Sequence, residues 1–116
     1  MHEYSIIQSL MERVDAEAEA RRSTVVRRLT VRIGELSGVE SGLLATAFDM
    51  FREGTICAGA TLDIVPVAAR WACPACGTAI ATGSVLACQA CRRPARLVEG
   101  DEIILDRIEM EVDDDV

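Results

Sequence analysis

Four cysteines in two close pairs limit what the middle of this chain can fold into. Cys73-Pro-Ala-Cys76 and Cys88-Gln-Ala-Cys91 are separated by eleven residues. Two residues between thiolates let the backbone turn so that both sulfurs aim at one centre, and two such knuckles complete a tetrahedron around a metal ion. Gly77 follows the first knuckle, where a positive φ is commonly needed. The intervening segment offers only Ile80, Val85 and Leu86 as sizeable apolar groups. Those cannot offset the entropy of ordering about two dozen residues at roughly 1–2 kcal/mol each for the backbone alone. A structural zinc site, at about 10–16 kcal/mol in zinc-finger peptides, can.

Zn(II) on Cys73, Cys76, Cys88 and Cys91 is therefore the expectation, although the spacer is shorter than the roughly 15–20 residues of one common zinc pattern. Iron fits the same cage. Four thiolates leave no open position, which argues against catalytic zinc. A thioredoxin-like redox motif fits poorly, because two pairs lie so close together. A base-deaminase site needs His-x-Glu and then Pro-Cys-x-x-Cys. Here Glu3 follows His2 directly and Ala72 precedes Cys73. The fifth cysteine, Cys57, stands alone and reads as a small buried filler, with a reactive thiol as the lesser alternative.

Around this segment the chain shows ordinary periodicity. Ile7, Leu10, Met11, Val14 and Ala18 recur at helical spacing, predicting an amphipathic helix over residues 5–22 with Ser5 as a candidate cap. Val25, Leu29, Val31 and Ile33 alternate with Val26, Arg28, Thr30 and Arg32 at strand period. Gly34 and Gly38 bracket a turn. A second helix is expected over residues 40–52, with Leu44, Ala47, Phe48 and Phe51 on one face and Gly54 as its stop. Leu62 and Ile64 lie in a second strand that Pro66 weakens. After Asp101, Ile103 and Leu105 alternate in one phase, and Ile108, Met110 and Val112 in the other. The slip at Arg107 and Ile108 predicts a bulge. The tail EVDDDV is expected to be solvated and frayed.

The expected fold is α+β: two helices packed on a small, mainly antiparallel sheet, with an inserted zinc-ribbon-like module of four cysteines. Residues 1–69 together with 97–116 would form one domain and residues 70–96 the insert. The net charge is −7 and every basic residue is arginine, which argues against nonspecific nucleic-acid binding. No export signal or membrane-spanning stretch is visible. With four of five cysteines in metal-type spacing, a reducing compartment, the cytoplasm, is expected.

His2 is the sole histidine, one residue from the amino end. It is large, so Met1 is expected to stay in place. The terminal amine, the His2 amide and its imidazole Nδ1 then form fused chelate rings, with the Glu3 amide as a fourth donor. Such a planar nitrogen set suits Ni(II) or Cu(II). On chemistry alone, an exposed side chain near a mobile end competes with this reading.

The start MHEYSI, the stretches VRIGELSGVE and AFDMFREGTICAGATLDI, the knuckles CPAC and CQAC, and the closing DEIILDRIEMEV together resemble the HypA/HybF family, in order and over nearly the whole chain. The resemblance implies a non-enzymatic nickel metallochaperone for [NiFe]-hydrogenase maturation. It implies Ni(II) held at Met1, His2 and Glu3, with His2 as the essential side chain, and structural Zn(II) on the four cysteines. It also implies a HypB-type GTPase and the hydrogenase large subunit as partners, with a link to urease maturation in some organisms. Glu3 would act as a backbone ligand or a partner contact. CQAC lacks the proline that many members carry after the first cysteine of that knuckle. A zinc-ribbon adaptor that never handles nickel is the rival from another class; it gives His2 no role.

Overall fold

The computed structural model describes residues 3–81 and 83–112. The nickel ligands expected at Met1 and His2, and the tail from Asp113, lie outside the described residues. The first periodic segment forms α1 (Glu3–Ala20), and its buried face is Ile7, Leu10, Met11, Val14 and Ala18. Ser5 lies inside the helix, so it does not cap it. The helix stops two residues before the expected Arg22, because Arg22 adopts φ 55. The Ser23 and Arg22 amides then donate to the Ala18 and Glu19 carbonyls, at 2.8 and 3.1 Å. That is the glycine-type helix stop, built here on an arginine.

Strand β1 (Val25–Gly34) follows. It buries Val26, Leu29, Val31 and Ile33, whereas Val25 is exposed. The expected inward set placed Val25 with the core. A bulge between Val26 and Arg28 reverses the phase, which a strict two-residue count cannot anticipate. Helix α2 (Ser41–Phe51) is capped by the Glu40 carboxylate, which accepts from the Gly42 and Leu43 amides, and it buries Leu44, Ala47 and Phe48. Gly54 takes φ 74 in the turn beyond it.

Strand β2 (Thr61–Val67) pairs parallel with β1, and β6 (Ile103–Glu111) pairs antiparallel on the other side, giving the order β2-β1-β6. A parallel neighbour requires a crossover, and α2 supplies it. Pro66 lies on an edge strand, where its missing N–H is tolerated. The bulge in β6 falls at Asp106, between the pairs Thr30↔Arg107 and Val31↔Leu105. It lets Ile103, Leu105, Ile108 and Met110 all pack on the core despite the phase slip.

A second sheet, all antiparallel, has the order β4-β3-β5: β3 (Arg70–Ala72), β4 (Ala79–Ile80) and β5 (Arg96–Glu99). So, among the described residues, two helices and mainly antiparallel ladders are present, with one parallel pair. Among the described residues no helix is long and apolar enough to cross a membrane.

The two sheets meet at a tightly built junction. Gly100, at φ 111, lies against Ala69, and a Cβ on Gly34 would collide with the Gly100 carbonyl. The Leu36 amide donates to Gly100 O at 2.7 Å. The Ala69 amide donates to the Glu35 carboxylate at 2.8 Å. Glu99 accepts from Arg70 at 2.6 Å and from Arg32 at 3.3 Å, so one carboxylate links the sheets.

Candidate metal centre

The two knuckles are near-copies of each other. In the first, the Cys73 amide donates to Thr78 O and the Gly77 amide to Cys73 O, both at 2.9 Å. In the second, the Cys88 amide donates to Arg93 O at 2.9 Å and the Arg92 amide to Cys88 O at 2.7 Å. Each turn closes on a left-handed residue: Gly77 at φ 76 and Arg92 at φ 56. The first was expected from its glycine. The second was missed, because an arginine carries no such signal. The proline absent from CQAC leaves this hydrogen-bond pattern intact.

The turns aim their sulfurs at one point. All four Sγ atoms of Cys73, Cys76, Cys88 and Cys91 lie within 4.8 Å of one another. Cys76 Sγ and Cys88 Sγ are 3.8 Å apart. A tetrahedron of about 2.3 Å zinc–sulfur bonds has edges of about 3.8 Å, so the cage has the right size. The Ala75 and Cys91 amides donate to Cys73 Sγ and Cys88 Sγ, each at 3.4 Å. These bonds orient the two buried sulfurs toward the shared centre.

Cys73 and Cys88 are buried, whereas Cys76 and Cys91 reach solvent. The Thr78 hydroxyl, 3.0 Å from Cys76 Sγ, and the Thr78 backbone draw Cys76 down to about 6. Hydrogen bonding with the Cys76 and Cys73 sulfurs pushes Cys91 up to about 12. Four crowded sulfurs cannot all ionise together without a cation to share the charge. Thr78 is a contributor that sequence reasoning passed over; only its position two residues after Cys76 could have signalled it.

Cys57 stands apart. It is fully buried in the core of the helix-covered sheet, and burial pushes its thiol up to about 11. It is a filler, as its isolation implied.

Glu3 opens α1 and is half-buried. The next residue fixes that end of the helix: the Tyr4 ring lies 5.5 Å from Phe51, and its hydroxyl donates to Met50 Sδ at 2.7 Å.

A family model described as "Hydrogenase/urease nickel incorporation, metallochaperone, hypA" matches residues 1–110. The chain belongs to the HypA family. Its members are metallochaperones, so the protein is not an enzyme. "Hydrogenase maturation factor HypA" of Shewanella baltica is 35% identical over 117 residues, covering 99% of this chain and 100% of that one. The Wolinella succinogenes protein of the same name is 35% identical over 118 residues, covering 99% of each. Among solved structures, the Ni metallochaperone HypA from Helicobacter pylori superposes with TM-score 0.74 at 30% identity, covering 97% of this chain and 100% of its own. A further HypA solution structure gives TM-score 0.80 at 30% identity, with 97% and 98% covered.

Proposed function

We propose that this HypA chain binds Ni(II) at its amino terminus through Met1, His2 and Glu3 and hands it on for [NiFe]-hydrogenase maturation. In this reading the four cysteines hold a structural Zn(II). The observation that carries the proposal is the closed character of the sulfur cage. A nickel-incorporation family needs a site that releases its cargo, and four converging thiolates leave no position for exchange. The chain has one imidazole with which to build a second site, and it is His2.

The proposed ligands are the terminal amine, the His2 amide and the imidazole Nδ1, with the Glu3 amide as fourth donor. First-turn amides of a helix have no intrahelical acceptor, so the Glu3 N–H is not needed by α1. The positive end of the helix dipole opposes a cation there, and deprotonated amides together with the Glu3 carboxylate offset it. Transfer proceeds by ligand exchange: acceptor thiolates of the hydrogenase large subunit replace the nitrogens, after docking assisted by a HypB-type GTPase. Delivery toward urease maturation is the second route implied by the family description. The assigned compartment is the cytoplasm. Residues 1–69 with 97–116 are assigned as the carrying unit and 70–96 as the zinc insert, with β5 straddling the second boundary.

Because the site forms by losing amide and imidazole protons, nickel affinity should fall as pH drops. Nickel titration of untagged protein at pH 8 and pH 6, beside His2→Ala and a variant with one residue added ahead of Met1, tests this. Both variants should lose tight one-to-one nickel binding and keep zinc. Retained binding in either, or equal affinity at the two pH values, overturns the terminal site and favours the adaptor reading.

A further inference from the structure

Charge is divided unevenly along the chain. Residues 70–98 contain four arginines and no acidic residue, whereas the rest holds eight arginines against nineteen acids. A zinc tetrathiolate carries two negative charges, so this segment stays net positive with the metal bound. Arg70 is occupied by Glu99 at 2.6 Å. Arg92, Arg93 and Arg96 are exposed and form no ion pair among the described residues.

The segment that carries Arg92 and Arg93 lies near exposed apolar side chains. Val85 is 82% exposed and Leu86 41%. Their placement is ordered: the Leu86 carbonyl accepts from the Ala95 amide at 2.9 Å, and Ala87 bridges Pro94. The loop therefore lies alongside the segment that carries Arg93. A shallow groove of about 940 Å³ runs past Ile80, Val85, Ala87, Gln89 and Arg92. Its lining is mainly aliphatic, with Arg92 as its cation, and Arg93 and Arg96 follow on the same exposed segment.

We propose that this face of the cysteine insert docks an acidic protein segment bearing aliphatic side chains. Charge complementarity selects the occupant: the segment that carries the groove is cationic, and the remainder of the chain is acidic enough to repel a bulky polyanion. Nucleic acid fits less well, since its bases need stacking platforms and the only aromatic residue in the segment is the half-buried Trp71. The surface would steer and orient a partner while the amino terminus holds cargo. It does not depend on the nickel reading.

The test is fluorescence anisotropy of a labelled glutamate–leucine peptide with glycine-serine spacers, against the zinc-loaded full chain. Arg93→Glu/Arg96→Glu should weaken binding about tenfold or more, and Val85→Ser/Leu86→Ser about threefold. Arg92 is left in place because it closes the second knuckle. Zinc content and nickel affinity should not change. If the reversal loses zinc, Arg93→Gln/Arg96→Gln must still weaken the peptide. Unchanged peptide affinity in the arginine variants overturns the proposal. So does equal binding of the peptide with lysine in place of glutamate, or tighter binding of single-stranded oligo-dT. Self-association that Arg93→Glu/Arg96→Glu abolishes would assign the face to a second copy instead. Lost peptide binding with intact nickel binding, or the reverse, separates failure here from failure of the terminal site.

Discussion

Among the described residues, thirteen buried ones from both helices, β1 and the Cys57–Ala60 turn form the core of the helix-covered sheet. In the cysteine insert, among the described residues from Arg70 to Glu99, only Cys73 and Cys88 are buried. One unit is held by apolar area removed from water. The other has almost none: Val85 and Leu86, two of its three sizeable aliphatics between the knuckles, are exposed. The difference teaches that two stabilising principles work side by side in one short chain. The unit without a core has instead a four-cysteine cluster that could hold an ion, and the proposed zinc would give it its shape.

The largest expected effect breaks the insert alone. Chelation, or Cys73→Ala, should erase amide dispersion across residues 73–95 in a heteronuclear NMR spectrum while the signals of α1 and β1 persist. An insert that keeps its dispersion without metal contradicts the division. The converse change is Phe48→Ala, which leaves a cavity among Leu44, Val31 and their neighbours and should cost about 3–5 kcal/mol. Denaturation followed by fluorescence of Trp71 and by circular dichroism should then give separate transitions, with zinc content unchanged. Coincident transitions would mean that the two units unfold as one.

The junction comes next. Gly100→Ala forces a side chain into φ 111 and against Ala69, so a loss of about 1–3 kcal/mol is expected in thermal unfolding. Glu99→Gln should be mildest. The Arg70 guanidinium, with Arg32 beyond it, holds the Glu99 carboxyl below its ordinary value of 4.5. Its folded pKa is depressed, so the contribution is present above 4.5 and disappears as pH falls through the lowered value. Residual dipolar couplings should report the same loosening between the sheets in Glu99→Gln at neutral pH as in the wild type under acid. Unchanged couplings would move the link to Glu35 and the backbone bonds.

Much of this was legible from spacing. The α1 face, the α2 face and the four-cysteine cluster follow from period and pattern, because each is a local property. The misreadings fell where one residue alters the local frame. Arg22 and Arg92 adopt a left-handed backbone that their identity does not announce. The bulges near Arg27 and Asp106 each shift a strand's phase, and only the second left a visible slip. The parallel pairing of β1 with β2 depends on the route of α2, which no local count reveals. Glu99 was unreadable as a bridge because its partners lie 29 and 67 residues away.

Nickel X-ray absorption on zinc-loaded, untagged protein, wild type beside His2→Ala, bears most directly on the proposed division of labour between a closed sulfur cage and a terminal cargo site. The account predicts a nitrogen-dominated nickel shell with an imidazole contribution in the wild type and no stoichiometric nickel in His2→Ala. Nickel surrounded by sulfur in both proteins would contradict it.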